Sequence, residues 1–93
     1  MARSAMRLSI SGRVQGVGYR WWAMNKAKAL GVEGWVRNRR DGSVEALALG
    51  SPGALNAFAT ACAAGPQGVG VSQVKRLPAQ DDGSLGFTEK PTL

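Results

Sequence analysis

The order in which hydrophobic periodicity changes along the chain is the feature that most constrains its fold. Residues 6–12 alternate between apolar and polar side chains, which is the two-residue period of a half-buried β-strand. Residues 19–30 place apolar side chains three to four positions apart, as an amphipathic helix does. Gly31 is expected to end this helix as its C-terminal cap. The first elements are therefore a strand, a glycine-rich loop and a helix.

A hairpin and a second helix are predicted next. Asp41-Gly42 is typical of a two-residue hairpin turn, so residues 33–39 and 43–49 are expected to pair as antiparallel strands. The pattern leaves open which face of the second of these strands meets the core. The further predicted elements are a loop at 50–53, a helix at 54–64 with Leu55, Phe58, Ala59 and Cys62 on its apolar stripe, a strand from Val69 to about Leu77, and a short strand at 86–89.

These elements follow the order β-α-β-β-α-β, with the short terminal strand added. Two right-handed β-α-β units in this order interlock into an antiparallel sheet with both helices on one face, which is an α+β sandwich. The first two strands then run parallel, with the third strand between them. Because neighbouring strands lie about 4.8 Å apart, the carboxyl ends of those two strands should lie on the order of 10 Å apart at one edge. That spacing suits one small anion held between two loops.

The residue types that are missing exclude several kinds of chemistry. There is no histidine, which excludes Ser-His-Asp and Cys-His catalysis and the commonest metal ligand. The single cysteine, Cys62, excludes an internal disulfide and a zinc site of cysteines and histidines, and is expected in the core. If the protein is an enzyme, we therefore expect it to use no histidine, no metal and no thiolate. Apolar stretches fall far short of the roughly 20 residues that span a bilayer, and no secretory segment follows Met1, so we expect a cytoplasmic protein with no membrane partner.

The positive charge is concentrated in the first forty residues. They carry nine basic side chains against Glu33 alone, a net charge of +8, whereas the chain from Asp41 onward has a net charge of −2. Such a half attracts a phosphate-bearing small molecule, a nucleic acid or an anionic membrane surface. Arg37, Arg39 and Arg40 are typical either of a nucleic-acid stripe or of a solvated hairpin face, and the second interpretation is favoured.

The loop Gln15-Gly16-Val17-Gly18-Tyr19-Arg20 is the first candidate site, because it leads from a strand directly into a helix N-terminus. Free N–H groups at such a terminus bind phosphate, and the glycines allow successive N–H groups to converge. The guanidinium of Arg20 adds a fork that matches phosphate oxygens. The alternative is a tight strand-to-helix turn with a solvated arginine. The dinucleotide fingerprint fails because Trp21 stands at its third glycine position, and the chain has no Walker A tripeptide.

Asn38 is the second candidate, near the carboxyl end of the second strand. The topology places its carboxamide at the same edge as the glycine-rich loop. An amide both accepts from and donates to a water molecule, so it can aim one at a bound phosphorus atom. On local sequence alone, the favoured alternative is a polar residue that closes the hairpin beside Asp41-Gly42.

Three segments together carry a family resemblance. Gly12-Arg-Val-Gln-Gly-Val-Gly-Tyr-Arg20, Leu30-Gly-Val-Glu-Gly-Trp-Val-Arg-Asn38 and Asp41-Gly-Ser-Val-Glu45 resemble the acylphosphatase family, over about residues 5–90. The resemblance implies one domain, residues 1–93, with the ferredoxin-like α/β sandwich. It implies hydrolysis of the carboxyl–phosphate bond of a small acyl phosphate without a metal or cofactor. It also implies that Arg20 and the loop amides from Gln15 to Arg20 bind phosphate, and that Asn38 positions the attacking water.

The sequence departs from the family pattern beside the candidate arginine. Tyr19 stands where the family usually has phenylalanine, and Trp21-Trp22 is bulkier than usual. One of these tryptophans is expected to pack on the sheet, while the other lies near the pocket or in solvent. Asp41 is expected to serve the turn, and Glu33 and Glu45 to lie on the sheet surface.

Two other functions are compatible with parts of the sequence. The same sandwich hosts RNA-binding domains, but these stack bases on aromatic side chains that the first and third strands here lack, so no nucleic-acid partner is expected. Acylphosphatase-like domains also occur as accessory domains that bind carbamoyl phosphate inside larger maturation enzymes. The chain lacks zinc-finger cysteines, and it is expected to be free-standing and monomeric.

Overall fold

Two α-helices pack on one face of a five-stranded sheet in the computed structural model, which describes residues 3–93. The predicted α+β class, a ferredoxin-like sandwich, is confirmed, and so is the predicted order of elements. The elements are β1 (Ser4–Arg13), α1 (Tyr19–Ala29), β2 (Glu33–Asn38), β3 (Val44–Gly50), α2 (Pro52–Ala64), β4 (Gly70–Pro78) and β5 (Phe87–Glu89).

The sheet order is β4-β1-β3-β2-β5. The strand β3 is antiparallel to both β1 and β2, so these two strands run parallel, as expected. Val44 of β3 pairs with Ile10 on one side and with Asn38 on the other. The three residues therefore form one row across the sheet, and the carboxyl ends of β1 and β2 lie at the same edge.

The main core lies between the helices and the sheet. It contains the predicted stripe of α2 and the predicted α1 residues Tyr19, Ala23 and Ala27. From β3 it takes Val44, Ala46 and Ala48, which answers the question that the alternating pattern left open. The opposite face of the sheet also buries Leu47 and Leu49, against Trp35. Trp35 thus shares its face with Arg37, whose guanidinium carbon lies 4.6 Å from the ring centroid.

Backbone caps explain where the helices begin and end. After α1, the N–H of Gly31 donates to Lys28 O and the N–H of Val32 donates to Ala27 O, at 3.2 and 2.8 Å. This is the Schellman arrangement, and Gly31 at φ +71° supplies its left-handed residue, as predicted. The second helix begins two residues earlier than predicted, because Pro52 occupies its first turn and the hydroxyl of Ser51 accepts from Ala54 N–H.

The β2–β3 hairpin has a longer loop than the predicted two-residue turn. The N–H of Arg39 donates to Ser43 O at 2.8 Å, and the N–H of Gly42 donates to Arg39 O at 3.1 Å. Three residues therefore lie inside the closing pair, with Gly42 at φ +93°. Asp41 serves the turn as expected, since its carboxylate accepts from both the N–H and the hydroxyl of Ser43.

The outer strands show two further departures from the predicted antiparallel sheet. The strand β5 pairs in parallel with β2, so the whole sheet is mixed. On the other edge, the register of β1 and β4 shifts between Ser11 and Gly12, which leaves Ser72 as an extra residue in β4. This bulge brings Val71 and Val74 to the same core, although they stand three positions apart. No helix among residues 3–93 has the length and apolar character to cross a membrane.

Gly34→Ala is expected to destabilise the protein strongly. Gly34 has φ +133°, and a Cβ built there would lie 1.9 Å from the carbonyl oxygen of Leu47 on the neighbouring strand. Backbone strain and overlap together should lower the free energy of unfolding by about 3 kcal/mol. Urea denaturation would measure this loss.

Gly53→Ala is the matched control for that substitution. Gly53 lies in α2, and a Cβ there meets nothing within 4 Å. Its free energy of unfolding should stay equal to the wild-type value or rise by up to about 1 kcal/mol. Equal stability of the two variants would contradict the close approach at Gly34.

Candidate functional site

The candidate site lies at the edge of the sheet where β1 and β2 end. After β1 the chain passes through Gly16 and Gly18, at φ +74° and +79°, and enters α1. Gly18 is the N-cap, and no side chain caps this end of the helix. The first turn contains no acidic residue either. Its N–H groups, which have no intrahelical acceptors, and the positive end of the helix dipole are therefore available to an anion.

A pocket of about 210 Å³ joins this helix end to β2 and β5. The predicted site residues Gly16, Gly18, Tyr19, Arg20 and Asn38 all line it. Val17 is 41% exposed and lies outside the lining. The remaining lining residues are Val14, Trp21 and Glu89.

The side chains of Arg20 and Asn38 have polar atoms without close partners in this pocket. The side chain of Arg20 is about one-third exposed, and its Nε lies 3.9 Å from Glu89 Oε1, which is beyond hydrogen-bonding distance. The Oδ1 atom of Asn38 is shielded from solvent and has no hydrogen-bond partner among the described residues. Buried polar atoms in proteins are nearly always hydrogen-bonded, so an unpartnered one marks a place for a ligand or a water molecule.

Gln15 does not line the pocket but links the two segments that form it. Its Nε2 donates to the carbonyl oxygens of Arg39 and Ser43, at 2.7 and 2.8 Å. These two residues close the hairpin directly after Asn38. The Gln15 side chain therefore ties the glycine-rich loop that leads to Arg20 to the hairpin that follows Asn38.

Tyr19 anchors the start of α1 below the pocket. Its ring is buried, and its hydroxyl donates to the carbonyl oxygen of Cys62 at 2.8 Å. Burial raises the pKa of Tyr19 well above its usual value, so the group stays a neutral donor. Burial also raises the pKa of the Cys62 thiol to about 12, and this residue belongs to the core, as expected.

Two arginines of the hairpin and one of β1 converge on a single carboxylate outside the pocket. Glu45 accepts from Arg37 Nε at 2.7 Å and from Arg39 at 3.2 Å, and Arg7 Nε lies 3.5 Å away. Burial alone would raise the pKa of Glu45, but the hydrogen bonds from the two hairpin arginines outweigh burial and lower it. Glu45 lies on the sheet face opposite the helices, as expected, but the arginines cover it and leave it 8% exposed.

The sequence did not point to Glu89 as a site residue. It also did not show which of the two tryptophans packs on the sheet and which lies near the pocket or in solvent. The short strand at 86–89 was predicted, but not its parallel pairing with β2, which brings Glu89 to the pocket. Trp21 is 64% exposed at the pocket, whereas Trp22 packs against Tyr19 and the core. No group of three or more potential metal-ligating side chains occurs within residues 3–93.

The chain is an α+β sandwich with a pocket at an uncapped helix N-terminus. The acylphosphatase family model matches residues 6–88. An acylphosphatase from Rhodospirillum rubrum is 48% identical over 84 residues, which cover 90% of this chain and 92% of that protein. The chain belongs to the acylphosphatase family.

Solved acylphosphatase structures share the fold over nearly the whole chain. The structure from Coxiella burnetii has a TM-score of 0.90 and 28% identity, and covers 96% of this chain and 94% of its own. The structure from Bacillus subtilis has a TM-score of 0.87 and 34% identity, with coverage of 92% and 97%.

Gln15→Ala is expected to lower kcat for benzoyl phosphate by at least about tenfold, because small misplacements of positioning groups cost turnover steeply. The variant keeps the backbone N–H of residue 15 but loses both hydrogen bonds to the hairpin that carries Asn38. The inhibition constant for inorganic phosphate should stay close to the wild-type value. Steady-state kinetics would measure both constants.

Gln67→Ala is the control, since Gln67 is exposed and lies outside the pocket. Its kcat and its inhibition constant should both equal those of the wild type. If Gln15→Ala gave the same kcat as this control, the Gln15 side chain would not set the position of the hairpin.

Proposed function

We propose that Arg20 and the backbone amides from Gln15 to Arg20 bind the phosphoryl group of the substrate, and that Asn38 orients the attacking water. As a member of the acylphosphatase family, the chain is a hydrolase that cleaves the carboxyl–phosphate bond of small acyl phosphates. One observation supports the separate roles of Arg20 in phosphate binding and of Asn38 in water positioning. Asn38, whose buried Oδ1 has no hydrogen-bond partner among residues 3–93, lines the same pocket as Arg20 and the uncapped N-terminus of α1.

The phosphoryl group meets three kinds of positive charge in this arrangement. The guanidinium of Arg20 offers parallel N–H donors that match two phosphate oxygens. The backbone at Gly16 and Gly18 is left-handed, which allows neighbouring N–H groups to converge on one anion. The helix N-terminus adds a partial charge of roughly +0.5. Together these donors spread the charge of the phosphoryl oxygens.

The remaining chemistry is compatible with the residues present. The carboxylate that leaves an acyl phosphate has a conjugate-acid pKa near ~4, so it departs without a general acid. Phosphoryl transfer passes through a loose transition state, in which positioning and charge stabilisation matter more than a strong base. Asn38 Oδ1 can accept a hydrogen bond from the water, which turns a lone pair of the water oxygen toward phosphorus. The water attacks in line as the carboxylate departs, and the products are the carboxylate and inorganic phosphate.

We also propose that the chain works as a single-domain monomer in the cytoplasm, without metal, cofactor or nucleic acid. The net charge of +6 supports a monomer, since a net charge far from zero keeps proteins soluble and monomeric. The lone Cys62 is free and buried, which suits a reducing compartment. On the face of the sheet opposite the helices, here called the open face, Trp35 is 6% exposed and lies beneath Arg37 and Lys90. Its ring therefore offers no surface on which a base could stack.

Arg20→Ala is expected to abolish activity mainly through lost phosphate binding. Removal of the guanidinium should lower kcat/KM for benzoyl phosphate by at least about 100-fold, since it removes the main charged donor. Inorganic phosphate should no longer inhibit residual turnover. Hydrolysis in the presence of EDTA, with calorimetric titration of inorganic phosphate, would measure both effects.

Arg76→Ala is the control for the loss of one positive charge. Arg76 is exposed on β4, and its contact is with Asn56 of α2 at 2.9 Å. It should keep wild-type activity and phosphate affinity. Equal phosphate affinity of the Arg20 and Arg76 variants would overturn the proposed role of Arg20. RNA binding that persisted in Arg20→Ala would instead favour a nucleic-acid function.

Asn38→Ala is expected to separate turnover from binding. The variant should lose kcat by about 100-fold, because the water is no longer aimed at phosphorus. Its inhibition constant for inorganic phosphate should remain at the wild-type value, since Arg20 and the loop amides are intact. Asn56→Ala removes an asparagine remote from the pocket and should change neither constant. Full activity of Asn38→Ala would refute the water-positioning role.

A further inference from the structure

Glu89 places a negative charge in a pocket otherwise suited to anions. It is the last residue of β5 and pairs in parallel register with Val36 of β2. Among the described residues that line the pocket, it is the single carboxylate, opposite the guanidinium of Arg20. The two side chains have similar exposure, 35% for Arg20 and 36% for Glu89. Nothing in the proposed chemistry uses this carboxylate.

The distance between the two groups shows whether Glu89 orients Arg20 through hydrogen bonds or acts on it only through its charge. A carboxylate that orients an arginine makes short hydrogen bonds to it, as Glu45 does to Arg37 at 2.7 Å in this protein. Arg20 Nε and Glu89 Oε1 are 3.9 Å apart, too far for a hydrogen bond. Glu89 therefore does not fix the plane of the guanidinium, but it contributes a negative potential at the same group.

A bound phosphoryl group would feel that potential directly. Phosphate oxygens on an arginine lie about 2.8 Å from its nitrogens, so the phosphoryl group and Glu89 would flank one guanidinium. Their separation falls within one Debye length, which is about 10 Å at 0.1 M salt, so dissolved ions do not cancel the repulsion. The partial exposure of both side chains keeps its size modest.

We propose that Glu89 is an internal competitor for Arg20 that weakens the site's hold on phosphoryl groups and so favours release of inorganic phosphate. In the empty site it partly balances the charge of Arg20. When a phosphoryl group binds, either the Glu89 side chain moves away from Arg20 or the repulsion between the two negative groups weakens binding. This proposal rests on the proposed role of Arg20 as the phosphate ligand.

Glu89→Gln tests the proposal, because it removes the charge and keeps the shape of the side chain. The inhibition constant for inorganic phosphate should fall roughly two- to fivefold, as expected for a partly exposed charge pair. The KM for benzoyl phosphate should fall by a similar factor, and product inhibition should appear earlier in a time course. A merely structural role of Glu89 would weaken phosphate binding instead. An unchanged or higher inhibition constant, or a collapse of kcat at constant phosphate affinity, would overturn the proposal.

Asp82→Asn is the matched control, since it makes the same change in net charge outside the pocket. Asp82 accepts from the indole nitrogen of Trp35 on the open face of the sheet. Its inhibition constant for phosphate should stay at the wild-type value, and an equal tightening in both variants would overturn a local effect of Glu89. The Arg20→Ala variant, titrated in parallel, keeps the two hypotheses apart. Phosphate binding lost in Arg20→Ala but unaltered in Glu89→Gln would reject the competitor role alone.

Discussion

The antiparallel pairing of β3 with both β1 and β2 is the constraint on which the site depends. It makes β1 and β2 parallel and sets Ile10, Val44 and Asn38 in one row. The chain after β1 and the end of β2 therefore meet at one edge, with a single strand between them. A register slip of one residue would turn the side chain of Asn38 to the other face of the sheet. Because both faces of β3 are buried, such a slip would also expose core residues, and the core thereby protects the site geometry.

Local signals were sufficient for most of the fold. The stripe of α1 and the cap at Gly31 depend on residues close in sequence, and both were predicted. The face of β3 was left open for a physical reason, since burial of Leu47 and Leu49 on one side and of Ala46 on the other removes the contrast that alternation needs. The hairpin loop was predicted too short because Asp-Gly also fits a three-residue loop that ends in a left-handed glycine, here Gly42.

In the site too, the features set by residues close in sequence were predicted, and those set by distant parts of the chain were not. Arg20 stands at a strand-to-helix loop that short sequence segments define, and Asn38 ends a strand whose neighbour the topology supplies. The crosslink from the Gln15 side chain depends on where two carbonyl oxygens of a distant hairpin lie. The position of Glu89 at the pocket depends on which strand β5 pairs with and on the parallel direction of that pairing. Neither the Gln15 crosslink nor the pairing of β5 follows from residues close in sequence, so the sequence alone could not predict them.

Several polar side chains at and near the site are hydrogen-bonded, whereas the candidate residues Arg20 and Asn38 lack close partners. Tyr19 and Gln15 donate to backbone carbonyls, and Glu45 is held by arginines. In contrast, Asn38 Oδ1 has no partner and Arg20 has one long ionic contact among residues 3–93. An unsatisfied buried polar atom costs about 1–3 kcal/mol, and the fold concentrates that cost where a substrate and a water would supply the missing bonds. Under the proposed roles of Arg20 and Asn38, the hydrogen bonds of Gln15 and Tyr19 restrain the backbone segments that carry these two residues. Less of the binding energy is then consumed in bringing the segments together, and more of it stabilises the transition state.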